Sequence, residues 1–161
     1  SILIGAVVAF MFFNFGAFKG GKYKIFMGDA GSMLMGLTVI WLITYSTQSE
    51  QSILSPITAV WIIAIPLMDM FSVMFRRILA GNSPLQASSD HIHHVFLFYG
   101  FGNTQTTLII TLLSALLCLI GIFTELQNIS ESVMACLFLV LFCLYNTLMM
   151  QQDKKMQLAK P

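Results

Sequence analysis

Two short stretches of this sequence carry the residue types that chemistry needs. The first is KIFMGDAGSMLMG, residues 24–36, where Asp29 sits between Gly28 and Gly31 at the mouth of an apolar run. A carboxylate beside hydrocarbon is costly, and flanking glycines let another group come close to the backbone. One reading is a helix-start residue, an Asp at the positive end of a helix, worth about 0.5–1 kcal/mol. The other is a Mg²⁺ ligand, because Mg²⁺ typically takes one or two carboxylates plus substrate phosphates. On that reading Gly28 and Gly31 admit phosphate oxygens. The N–H groups that open a helix at Ser32 and Met33 then face the same anion.

The second stretch is SSDHIHHVFLFYG, residues 88–100. A helix over 91–99 would put Ile92, Val95, Phe96 and Tyr99 on one narrow apolar stripe, able to lie on a membrane surface. His91 and His94 then flank one edge and His93 faces away. Three readings stand side by side: a solvated polar face, a zinc site, and an anion site whose imidazoles donate to phosphate and carry a proton. Imidazoles suit hard Mg²⁺ poorly. That suggests a division of labour, with Asp29 for metal and the histidines for phosphate.

Four further polar residues lie inside or beside apolar runs. Asp69, in AIPLMDMFSVMFRR, is about two helical turns, roughly 10 Å, from Arg76 and on the same face. It is either a structural ion pair or helix–helix hydrogen bond, or a functional carboxylate that supports or contacts the site. Pro66 breaks the helical ladder there and frees the carbonyl of Ile62. Arg76 is taken as substrate-binding, and Asp90, next to His91, as support for the histidines. Asn14, in FMFFNFG, needs a polar partner if buried.

The elements that must hold these groups are membrane spans. Of the 161 residues, 57% are hydrophobic and 9% charged, with a mean hydropathy of +0.83. Soluble domains carry about 25% charged residues, so the expected fold is all-α, a polytopic integral membrane protein. A net charge of +1 points to no nucleic acid. Five segments approach the ~20 residues a crossing needs: about 1–18, 32–48, 55–77, 105–125 and 132–151. Cys118, Cys136 and Cys143 fall inside these runs as small buried side chains.

All eight Lys and Arg fall on one side of this zigzag: Lys19, Lys22 and Lys24, then Arg76 and Arg77, then Lys154, Lys155 and Lys160. The three first lysines read as anchors or contacts to anionic lipid. The other side carries only Glu50, Glu125 and Glu131. The positive-inside rule then places loops 19–31 and 78–104 and the C-terminus in the cytoplasm and the N-terminus outside. An outside N-terminus without a signal sequence fits a chain whose earlier spans are absent. Asp29, Asp90 and the histidines share the cytoplasmic face. A transporter would place polar groups near the midplane.

The motifs FMGDAGSM (26–33), IPLMDM (65–70) and HIHH (91–94), in this order, resemble the polyprenyl-phosphate N-acetylhexosamine-1-phosphate transferase superfamily. The runs KYKIFMGDAGSMLMGLTVIW, PITAVWIIAIPLMDM and RRILAGNSP look most like the bacterial branch that uses undecaprenyl phosphate and begins O-antigen and enterobacterial common antigen lipids. They look less like the phospho-MurNAc-pentapeptide branch. The resemblance implies transfer of N-acetylglucosamine-1-phosphate from UDP-GlcNAc to undecaprenyl phosphate at the cytoplasmic face of the inner membrane, with Mg²⁺ or Mn²⁺. By match, Asp29 is the metal-binding aspartate. His91, His93 and His94 are the phosphate-contacting histidines, His91 being catalytic. Asn14 is a polar residue ahead of the metal motif. The family chain is about twice as long, with an aspartate-rich motif in its N-terminal half. It also carries Asp-Arg where this sequence has Ser88-Ser89, which removes an expected phosphate clamp. The expectation is therefore the C-terminal half of such an enzyme, inactive alone and needing the missing half, with a homodimer as a further expectation. The rival readings are a non-catalytic membrane module that binds UDP-sugar or lipid, and a histidine-based metal transporter.

Overall fold

A computed structural model describes residues 2–14, 27–48, 52, 54–84 and 91–158. Every regular element among them is an α-helix: α1 (Ile2–Asn14), α2 (Gly28–Gln48), α3 (Pro56–Ile62), α4 (Ala64–Leu79), α5 (Ile92–Phe98), α6 (Asn103–Leu126) and α7 (Glu131–Leu158). The chain divides into two compact units, Ser1–Ser49 with α1 and α2, and Glu50–Pro161 with α3 to α7. Helices α2, α6 and α7 are long and apolar enough to cross a bilayer, and the α3–α4 pair makes a fourth crossing if it counts as one span. Helix α1 has 13 residues, short of a crossing, and residues 15–18 of the expected first span lie outside the described residues.

The expected span 55–77 is not one straight helix. It bends by 82° between α3 and α4. Ser55 caps α3 through its hydroxyl, which accepts the Thr58 N–H at 3.4 Å, and Pro56 follows at the first helical position, where its missing N–H costs nothing. The break falls at Ile63. That puts Pro66 in the first turn of α4, where no intrahelical donor is required. The ring that cannot sit inside a ladder instead opens a new helix.

In the second unit α3 packs most extensively on α6, while α4 packs on both α6 and α7. Ala64, Ile65 and Met68 of α4 form the buried centre, surrounded by Ile110 and Leu117 of α6 and by Phe138, Leu141, Phe142 and Tyr145 of α7. An apolar groove of about 320 Å³ runs between α4 and α7, lined among others by Phe71, Phe75, Phe138 and Phe142. Trp61 stacks edge-on against Phe138, centroids 5.8 Å apart, and its indole N–H donates to the Met134 carbonyl at 3.3 Å.

Where α3 crosses α6, Gly121 meets Trp61. A Cβ on Gly121 would lie 2.5 Å from Trp61 Cβ and 3.2 Å from Cγ. Trp61 is only 5% exposed, so it has little room to yield. Gly121→Ala is expected to destabilise this unit by about 1–3 kcal/mol, the usual cost of overpacking, read as a lower melting temperature in detergent. An unchanged melting temperature would contradict this packing.

The Glu125 carboxylate, near the end of α6, accepts from the Ser55 N–H at 3.2 Å, from the Ser55 hydroxyl and from the Thr58 hydroxyl. Thr58 is fully buried. Glu125 thus holds the start of α3 and is more than a loop charge.

Candidate functional site

In the second unit the histidine motif is built on α4. Helix α5 starts at Ile92 with His91 as its N-cap, extended at ψ 157°, but no side chain of its own caps it. Asp69 does so from α4. Its Oδ1 accepts the Ile92 N–H at 3.0 Å, and its Oδ2 pairs with His91 Nδ1 at 2.9 Å. Tyr145 of α7 donates its hydroxyl to Asp69 Oδ1 at 2.8 Å. A buried carboxylate therefore sits among three donors from two other elements, as buried charges require. Asp69 thus contacts the histidine motif through His91 and the start of α5.

This contact fixes the chemistry of His91. A carboxylate accepts, so Nδ1 carries the proton in this pair and Nε2 is the acceptor nitrogen of the neutral ring. The other two imidazoles gather beside it. His93 stacks on His91 with centroids 5.9 Å apart and meets His94 tilted by 39°, centroids 4.1 Å apart. His93 is the exposed one of the three, as expected of a residue facing away, yet its ring lies against both of the others. Partial burial, then the charges of His94 and His91, push His93 below the usual imidazole range, with Asp69 opposing. His93 therefore stays neutral at a pH where an isolated imidazole would charge.

Helix α5 packs on α6 and α7. Val95 is buried, whereas Tyr99 is exposed and donates to Gln152 of α7, so the apolar stripe serves the protein as well as any membrane surface. Gly100, at φ 86°, ends α5 in the left-handed region that glycine tolerates. The Phe101 N–H closes that end on the Phe96 carbonyl at 3.1 Å.

Arg76 lies seven residues beyond Asp69. Its guanidinium pairs with Asp153 of α7 and donates from Nε to the Ser72 carbonyl at 3.1 Å. It is held as a brace between helices. Asp90 and Ser88-Ser89 lie outside the described residues.

In the first unit Asp29 is exposed in the first turn of α2. The helix begins at Gly28, four residues earlier than expected, so the open N–H groups belong to residues 27–30. Ser32 and Met33 fall within the ladder, and the Ser32 hydroxyl donates to the Asp29 carbonyl at 2.9 Å. Gly28, at φ 70°, has open space where a side chain would stand. At Gly31 that space is filled by Met27, whose Cγ would lie 2.6 Å from an added Cβ. Of the two glycines, Gly28 has open space beside it and Gly31 has the Met27 side chain. Asn14 donates to the Phe10 carbonyl of its own helix at 3.0 Å. Among the described residues, no three His, Cys, Asp or Glu side chains are grouped to hold a metal.

Residues 1–47, which include GDAGSM, match the family model described as Glycosyl transferase family 4. That match covers 47 of the 161 residues. The chain is 46% identical over 144 residues to the undecaprenyl-phosphate alpha-N-acetylglucosaminyl 1-phosphate transferases of Escherichia coli O157:H7 and Escherichia coli strain K12, an overlap of 89% of this chain and 39% of each relative. The protein of the same name from Haemophilus influenzae is 43% identical over 143 residues, 89% of this chain and 40% of the relative. The chain thus spans about two fifths of the length of the relatives it matches. No solved structure matches it.

The sequence reading missed the contribution of α7. Tyr145, Asn146, Gln152 and Asp153 each bond to α4 or α5, Asn146 through the Ser72 hydroxyl at 2.8 Å. A signal was present: Tyr145 and Gln152, and Asn146 and Asp153, are seven residues apart, which repeats one helix face. Polar residues repeating on one face of an apolar span point to partners.

Proposed function

We propose that this chain carries the imidazole part and one metal carboxylate of an enzyme that transfers N-acetylglucosamine-1-phosphate from UDP-GlcNAc to undecaprenyl phosphate. The observation that carries this reading is the Asp69–His91 pair, which sets Nε2 of a partly exposed imidazole outward beside two more imidazoles. The names of the similar proteins supply the substrate class. An oxygen of the lipid phosphate attacks the sugar-bearing phosphorus, the bond between that phosphorus and the oxygen bridging it to the second phosphorus breaks, and UMP leaves. The product is a lipid-linked diphosphate sugar that starts O-antigen-type polysaccharide.

In this reading His91, when protonated, donates from Nε2 to a phosphate oxygen and can pass that proton on, while Asp69 stabilises the imidazolium. His93 and His94 add donors. Asp29 fits Mg²⁺ or Mn²⁺ in kind, being an exposed hard carboxylate. An ion held there would neutralise phosphate charge. It supplies one ligand, so the enzyme needs more acids, and we expect the chain to be inactive by itself. The reactive face is cytoplasmic, in a bacterial inner membrane, where a soluble nucleotide meets a membrane lipid.

The test is a chimera of the Escherichia coli K12 relative in which this chain replaces the matched region. UMP release from UDP-GlcNAc with undecaprenyl phosphate and Mg²⁺ is expected, and EDTA should stop it. A chimera that inserts and folds but releases no UMP would sink the proposal. It would favour a non-catalytic module that binds UDP-sugar or lipid.

A further inference from the structure

We propose that Tyr145 is a positioning residue for the histidine motif: its hydroxyl, through Asp69, sets the tautomer and orientation of His91. The proposal rests on the reading of His91 as the working imidazole.

The geometry is a relay of three groups. Tyr145 OH donates to Asp69 Oδ1 at 2.8 Å, the same oxygen takes the Ile92 N–H at 3.0 Å, and Oδ2 meets His91 Nδ1 at 2.9 Å. Two donors on Oδ1 fix the rotation of the carboxylate. Oδ2 is then left pointing at the imidazole. Without the phenol hydroxyl, Oδ1 is held by one backbone donor and the carboxylate is free to rotate. That freedom takes Oδ2 out of line with Nδ1–H. Tyr145 has no place in the motifs, yet it touches the group that aims them.

Two features separate this role from general packing. The Tyr145 ring lies against the apolar centre made by Ala64, Ile65 and Met68, so Phe keeps that contact. Helix α7 is also tied to α4 and α5 further along, by Asp153 with Arg76 and by Gln152 with Tyr99. Tyr145→Phe should therefore leave the helices docked. The charged and titratable groups around His91 that a measurement must allow for are Asp69 and Arg76 on α4, His93 and His94 on α5, and Asp153 on α7.

The experiment uses the 161-residue chain with ¹⁵N-labelled histidine in nanodiscs, reading imidazole nitrogen shifts at a pH where His91 is neutral. His91 is expected as the Nδ1–H tautomer. Tyr145→Phe should convert a large share of it to the Nε2–H form. Tyr99→Phe, which cuts the neighbouring tie and leaves Asp69 untouched, should change nothing. In the chimera, Tyr145→Phe should lower kcat about tenfold, the loss of one hydrogen bond to a charged group, with KM within about twofold. An unmoved tautomer in Tyr145→Phe, or an equal shift in Tyr99→Phe, overturns the proposal. A silent chimera with the expected tautomer shift tells against the transferase reading alone.

Discussion

Asp29→Asn is expected to abolish turnover in the chimera, by about 10²–10³-fold, the range seen when a single charge-stabilising group is removed from a reacting site. The melting temperature should barely move. Asn has the size of Asp, and the residue is exposed in the first turn of α2. What the fold loses is a favourable charge at a helix N-terminus, about 0.3–1 kcal/mol, and Asn itself suits helix starts. Loss of activity without loss of stability separates a metal carboxylate from a mere helix-start residue. If the variant keeps more than about a tenth of the activity, Asp29 is not the metal ligand. A rise in the Mg²⁺ concentration needed for half-maximal rate in any residual activity would support the assignment.

Asp69→Ala is expected to cost both activity and stability. It leaves the Tyr145 hydroxyl, the Ile92 N–H and His91 Nδ1 without their acceptor. An unsatisfied buried group costs about 1–3 kcal/mol, so a loss on the order of 3 kcal/mol is expected after some water enters. Helix α5 then lacks its cap, and its amide protons should exchange far faster than those of α6. Asp69→Asn is the sharper comparison. It keeps one oxygen for Tyr145 and Ile92 but sets an NH₂ against His91 Nδ1, which favours the opposite tautomer. Activity should fall at least as far as in Asp29→Asn, with most of the stability retained. A fully active Asp69→Asn variant would mean that the carboxylate does not govern His91.

The helical class and the need of an intramembrane aspartate for polar partners were legible in the sequence, because both follow from cost. A buried carboxylate such as Asp69 is kept only where something binds it. Its binding to His91 was not legible, since 22 residues separate them and nothing local signals a cap supplied by another helix. The elbow was half legible. Pro66 announces a break, but its ring clashes one turn back, so the bend falls at Ile63. Helix α7 runs to Leu158, past the expected end at 151, because Gln, Lys and Met propagate a helix well without being apolar. Apolarity marks where a span leaves the hydrocarbon and says little about where the helix stops.

The elbow also bears on how deep this part of the chain reaches. Helix α4 has 16 residues, which at 1.5 Å each rise about 24 Å, less than the ~30 Å thickness of a bilayer's hydrocarbon. Helix α3 departs from it at 82°, so with α4 upright it adds little height. The start of α3 then needs partners from the protein for the amides and hydroxyls it turns away from α4. Glu125 serves them from α6. An acid at the end of a crossing helix thus anchors the open end of a short, bent one.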